Sequence, residues 1–364
     1  MDIGLMQIMQ KWGYDGMTDE EVYDEELKLV MAADEYGFDS TWVVEHHFED
    51  YSMCPDNFVY LAYLAAKTKQ IKLATGAVIV PWNTQPLRIA EKAALLDQIS
   101  GGRAILGLGR GLSRREFNQF GVDMDESRGR FDEAVPMVLE ALETGVMEEH
   151  HGKYFDQPRA VIRPKPKSFD GRVAQIAMSP ESGQEAAKHG ARLMAFNYIP
   201  IEQQKAEYEA YAATFRKNHN KEPEPMVLSE VMLCDKDAMR CEDNARKYIG
   251  GYMLSVMHHY ELMGEHFKDA KGYEAYGDAV DALNSAGLES AADTYVSQQI
   301  WGTPQQMLDK LERRRSYLGD AGLLCIFRCA GLPFEDAKRS MDTFATEVMP
   351  ELRSWGSSST TEAA

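Results

Sequence analysis

Glu45-His46-His47-Phe48 follows an apolar run, residues 38–44, that reads as a strand, so two adjacent histidines stand at the strand's C-terminal end. Imidazole is the side chain whose ordinary pKa lies near neutrality, which suits it to carry a proton or to ligate a metal. Neighbouring side chains on an extended segment point to opposite sides, so His46 and His47 do not readily share one ion. No HExxH occurs, and the doublets His150-His151 and His258-His259 show no Cys, Asp or Glu at ligand spacing. A metal centre is therefore not expected. What remains is a proton-transfer pair or a plain loop, one ring packed and the other solvated.

A second candidate is Gly107-Leu108-Gly109-Arg110-Gly111-Leu112. It fails as a dinucleotide fingerprint, because the third glycine position holds Leu112 and helix-patterned sequence follows. It reads instead as a glycine-flexible strand end presenting Arg110, whose planar fork suits a phosphate, or as a tight turn with a solvated arginine. The third is Ser179-Pro180-Glu181-Ser182-Gly183-Gln184-Glu185. Ser179 before Pro180 reads as an N-cap, while Ser182 with Glu185 could form a capping box instead. Either places free N–H groups and hydroxyls at a helix start, a ready anion site. If Arg110 and this helix start share one rim, a phosphate belongs between them.

No GxSxG occurs, since Gly111-Leu112-Ser113 is followed by two arginines, and there is no Walker motif. Met6, Trp12, Phe48, Tyr51, Met53 and Trp82 near strand ends read as core or as the lining of an apolar pocket.

The elements that would position these residues repeat. Strand-length apolar runs occur at 3–9, 40–44, 71–80, 103–109, 173–178, 192–196, 227–234 and 322–327. Helical patterns follow at 19–36, 55–68, 86–99, 127–143, 181–189, 201–217, 236–263 with 304–317, and 334–352. Strands apolar on both faces and separated by helices imply a parallel sheet under helices, and eight such units imply a (β/α)₈ TIM barrel. One domain is expected over 1–355, with a disordered tail at 356–364 and with insertions at about 145–171 and 264–299 over the C-terminal face.

Composition sets the outer limits. With 39 Lys and Arg against 58 Asp and Glu, the formal charge is −19, a poor match for nucleic acid or an anionic membrane. No apolar run nears the ~18 residues of a membrane span, and the opening MDIGLMQIMQ lacks a signal-peptide pattern. Five cysteines without a CxxC pair argue against a disulfide framework, so a cytoplasmic protein with reduced thiols is expected.

EHHF, the run LATGAVIVPWNTQPLRIAEKAALLDQISGGRAILGLGRG and the closing FATEVMPEL together resemble the bacterial luciferase-like flavin-dependent monooxygenases, nearly end to end. The resemblance implies FMN bound at a barrel's C-terminal mouth, reduced by a separate NAD(P)H:flavin reductase. It also implies that the reduced flavin reacts with O₂ to a C4a-hydroperoxide that oxygenates a small, largely apolar substrate. It assigns proton transfer to His46 with His47 supporting, the flavin phosphate to Arg110, Ser179 and Ser182, and the floor under the ring to Gly76 and Ala77. Met178 stands where some relatives have an acid. A homodimer or homotetramer is expected. The rivals are a coenzyme F420-dependent oxidoreductase doing hydride transfer and a non-catalytic flavin-binding protein. Should His46 prove dispensable, His259 and Tyr260 are the next candidates; no role is assigned to His258 or Cys54.

Overall fold

The computed structural model describes residues 1–357. Eight strands run parallel in chain order: β1 (Ile3–Gln7), β2 (Ser40–Val43), β3 (Lys72–Thr75), β4 (Ala104–Gly109), β5 (Val173–Ile176), β6 (Arg192–Phe196), β7 (Val227–Val231) and β8 (Gly322–Ile326). The sheet closes where β8 pairs β1, Leu323 opposite Ile3, and where β4 pairs β5, Leu106 opposite Val173. This is the (β/α)₈ barrel expected from eight strand–helix units.

The strands are apolar on both faces because each face meets a different core. Leu5, Val43, Leu73 and Leu323 point outward into the layer shared with the helices. Their neighbours Met6, Trp42, Ala74 and Leu324 point inward and fill the barrel, as the two-residue period of a strand requires. The fit inside is close: a Cβ on Gly107 would lie 2.0 Å from the Thr75 carbonyl oxygen and 3.4 Å from the Trp42 ring. The apolar run at 71–80 is not one strand. It breaks after Thr75, passes a cis Gly76–Ala77 bond, and resumes as Val78–Ile79 against Leu108 and Gly109 of β4.

The two insertions go to different ends of the barrel. The segment at 264–299 lies over the C-terminal mouth, where Tyr273 donates to the carbonyl of Gly111 at 2.8 Å. The segment at 145–171 does not. It joins the helix Ser127–Thr144 to the start of β5, so it begins and ends at the opposite face, where Gln98 bonds Lys165 O at 3.0 Å. Its hairpin then climbs the flank of that helix, its backbone donating to Glu133. A segment between a helix and the next strand cannot start from the mouth, which corrects the expectation for this insertion. The helix Met349–Ser357 runs through the first two residues of the expected tail, and the rest lies outside the described residues. Among those described, no helix is long and apolar enough to cross a membrane.

Candidate active site

His46 and His47 part company as a strand end dictates. His46 turns to the mouth, with Nδ1 3.2 Å from Glu116 Oε1 and Nε2 3.1 Å from the Tyr260 hydroxyl. His47 packs against Trp82 and Phe120, with Nε2 3.5 Å from Glu45, and it contributes a backbone N–H that donates to Glu116 at 2.7 Å. Glu45 is itself anchored by the Trp82 indole N–H at 2.7 Å and the Ile79 N–H at 3.1 Å. The doublet is thus fixed from behind by one carboxylate and from the front by another.

Sequence reading missed Glu116. It lies on a seven-residue helix, Arg114–Phe120, too short to show a helical period. One signal was present: Ser113-Arg114-Arg115-Glu116 has the form of a capping box. The box does not form. The Ser113 side chain makes no cap bond, and Glu116 reaches the histidines instead.

His259 completes the cluster from the helix Gly250–His259. Its Nδ1 lies 2.9 Å from Glu49 Oε2, its Nε2 3.7 Å from Glu116 Oε1, and its ring stacks on Tyr51 at 4.4 Å. Glu49 is paired in turn with Arg115. A π-helical turn, Ala245–Ile249, precedes this helix, and such turns recur at functional sites. Of the His258-His259 doublet, His259 therefore does have carboxylate partners, supplied by distant elements and so invisible to spacing. Donor atoms of His46, Glu116 and His259 lie within 4.8 Å of one another, a spacing a metal ion could use. His46 is nevertheless engaged by protein partners at both ring nitrogens.

The electrostatics follow from burial against charge. Burial alone would raise the Glu116 carboxyl, yet the two imidazoles beside it outweigh that and hold it at about 2. Burial pushes His46 below its ordinary range, against the pull of Glu116. A carboxylate only accepts hydrogen bonds, so the neutral His46 ring carries its proton on Nδ1 and offers the Nε2 lone pair to the Tyr260 O–H.

The second half of the mouth is the adjoining rim of β4 and β5. Arg110 follows β4, its guanidinium over the Tyr273 ring at 4.0 Å, and its Nη1 is buried without a hydrogen-bond partner. Gly111 is needed beside it: φ is +84°, and a Cβ would meet Ile79 at 2.9 Å and Trp82 at 3.0 Å. After β5, Ser179 caps the helix Pro180–Lys188. Ser182 returns the box, donating to Ser179 O at 2.8 Å and accepting the Ser179 N–H at 3.0 Å. Of the two caps the sequence allowed, this one forms, and the Ser182–Glu185 pairing does not. Met178 sulfur accepts the Phe196 N–H at 3.3 Å. Gly76 and Ala77 follow β3, with Gly76 packed over Met6 and Trp42 and the Ala77 carbonyl held by Asn57 at 3.0 Å.

Residues 1–321 match a family model described as luciferase-like monooxygenase. The alkanal monooxygenase alpha chain of Photorhabdus luminescens is 28% identical over 334 residues, 90% of this chain and 91% of that one. The oxygenase component of a flavin-dependent trigonelline monooxygenase from Acinetobacter baylyi is 26% identical over 351 residues, 92% of this chain and 91% of its own. Among solved structures, the monooxygenase RslO1 from Streptomyces bottropensis superposes with a TM-score of 0.73 at 27% identity, covering 96% of this chain and 99% of that one.

Proposed function

This chain belongs to the luciferase-like monooxygenase family, and on that premise we propose that it is the oxygenase component of a two-component system. In this reading it takes reduced FMN from a separate reductase and uses O₂ to oxygenate a small organic substrate. The observation that carries the reading is the buried Arg110 Nη1 with no acceptor, just past β4, whose neighbour β5 leads into the Ser179 helix cap. A buried unpaired guanidinium N–H is costly, and an arriving phosphate oxygen removes the cost. Arg110, Ser179 and Ser182 would hold that phosphate, and Gly76 and Ala77 would lie beneath the ring.

Reduced FMN supplies the two electrons with which O₂ is divided, one oxygen atom entering the substrate and the other leaving as water. The chain's own residues manage the protons. His46, neutral near pH 7, accepts one at Nε2 and returns it, and the ionised Glu116 steadies the imidazolium in between. His47 keeps Glu116 in place through its backbone N–H. The 264–299 segment closes over Arg110 through Tyr273 and keeps water from the mouth.

The test is to titrate the purified chain with reduced FMN and with reduced F420, then to assay it with and without an added flavin reductase. Tight binding of reduced FMN and turnover only with the reductase are expected. Preferential F420 binding, or robust turnover with NADH alone, would overturn the proposal.

A further inference from the structure

The outer layer of the barrel is thinly filled in one sector. On β6, Met194 points into the barrel while Leu193 and Ala195 face the helices. Where β1, β2 and β3 present Leu5, Val43 and Leu73 to that layer, the end of β5 and β6 present Ala177 and Ala195. The helices packed over them, Pro180–Lys188 and Ile201–His219, answer with Gly183, Ala206 and Ala210. Small residues facing small residues leave space. A cavity of about 250 Å³ lies there, bordered by both helices and the strand ends. Gly183, although buried, would carry a Cβ that meets no neighbouring atom within 4 Å.

One polar group interrupts the apolar lining. Gln204 borders the cavity and is 4% exposed, and its Oε1 is buried without a hydrogen-bond partner. Gln184 and Glu207, which also border it, are already engaged: Gln184 accepts from Thr214, and Glu207 accepts from Gln203 at 3.0 Å.

We propose that this cavity is a second ligand site, on the outside of the barrel wall, and that it takes a compact, uncharged, largely apolar molecule with one hydrogen-bond donor. The inference goes beyond the oxygenase reading and does not depend on it.

Volume, walls and acceptor each set part of the class. A cavity of about 150 Å³ takes benzene, so this one has room for two fused rings. An empty apolar cavity and an unpaired buried amide oxygen each cost stability, and one donor-bearing occupant removes both costs. Water is a poor occupant, because a buried water needs two to four polar partners and Gln204 offers one free acceptor. An ion is a worse one: burying charge among alanine, leucine and methionine is costly, and the Glu207 carboxylate repels an anion.

The experiment is an NMR titration of the full chain with indole, which has one N–H donor, and with indene, which has the same fused rings and no donor. Both are repeated on Gly183→Leu, which fills the space, and on Gln204→Leu, which removes the acceptor. Thermal melting of each variant checks folding, and Gln204→Leu carries the test if Gly183→Leu does not fold. Indole should bind the parent roughly 3- to 10-fold more tightly than indene, the range of one hydrogen bond. Gln204→Leu should erase that margin, and Gly183→Leu should weaken both ligands at least tenfold. Equal binding of indole and indene by the parent would overturn the proposal, as would a folded Gly183→Leu that binds indole like the parent. Indole should also bind the chain saturated with FMN; displacement by FMN would place it in the mouth and overturn the second site. Failure to bind FMN with the indole results intact sinks the flavin assignment alone.

Discussion

The mouth of the barrel has two polar halves that are finished to different degrees. At the β2 rim, His46 is held at both ring nitrogens by Glu116 and Tyr260, and Glu116 is held by His46 and by the His47 N–H. At the β4–β5 rim, Arg110 rests on an aromatic ring and ends in a buried Nη1 with no acceptor, beside a helix whose cap satisfies itself. The difference fits the tasks proposed for the two halves. A group that passes a proton back and forth works only if its tautomer and orientation are set before the reaction, so its partners are built into the chain. A group that binds an anion has its partner delivered by the ligand. Pairing it internally would set a competitor against the phosphate.

The sharpest test of this contrast is His46→Ala. Product formation should fall by roughly 10²- to 10⁴-fold, the usual range for a positioned acid–base group, while FMN affinity stays near that of the parent. Hydrogen peroxide should rise as product falls. The ratio of the two under a fixed oxygen supply is the measurement, and an unchanged ratio and rate would move attention to His259.

Arg110→Ala should do the converse. Loss of a charge-assisted phosphate contact worth ~1.5–3 kcal/mol predicts roughly 10- to 150-fold weaker FMN binding by equilibrium titration. Protein saturated with flavin should keep most of its coupling. If coupling collapsed instead, the two halves would not be separable.

Glu116→Gln probes the internal pairing and should cost about tenfold in turnover. Without the carboxylate that favours its protonation, His46 should hold its proton less well, moving the acidic limb of the kcat/KM profile to lower pH. The stability signs follow from linkage. Glu116 sits at about 2 in the folded chain, below its ordinary 4.5, so its contribution is complete above pH 4.5 and is lost as pH falls towards 2. His46 lies below its ordinary 6.5, so its contribution is present above 6.5 and also declines on acidification. The parent's melting temperature should therefore fall with acid through both windows. The Gln variant should show a shallower fall between pH 4.5 and 2, and an identical slope would deny Glu116 its pairing.

The smallest effect is expected from Ser179→Ala combined with Ser182→Ala. FMN binding should weaken less than fivefold, because backbone N–H donors and Arg110 remain. The lost cap should cost about 1 kcal/mol in denaturant unfolding. A loss of FMN affinity as large as that of Arg110→Ala would show that the hydroxyls, not the guanidinium, hold the phosphate.

Much of this was legible in order of appearance. The barrel followed from eight alternations of strand and helix period. The doublet, the glycine-flanked arginine and the Ser-Pro cap all stood directly after strands, where a barrel places its mouth. The break after Thr75 was not legible, because Gly76-Ala77 continues an apolar run without a turn signal. Glu116 was hidden for another reason: its capping-box spacing points to a local role, and only the fold turns its side chain to residues some 70 positions away.

The sequence by itself determined which residues could hold a proton or a phosphate, because side-chain chemistry and strand periodicity are local properties. Tertiary structure alone decided which groups act on them. It brought Glu116, His259 and Tyr260 to His46 and left Arg110 Nη1 without an acceptor. It also sent one insertion to the mouth and the other to the far face. The physical reason is range. Hydrogen bonds and charge act over a few ångströms in space, and closing a barrel places at that distance residues that no spacing along the chain relates.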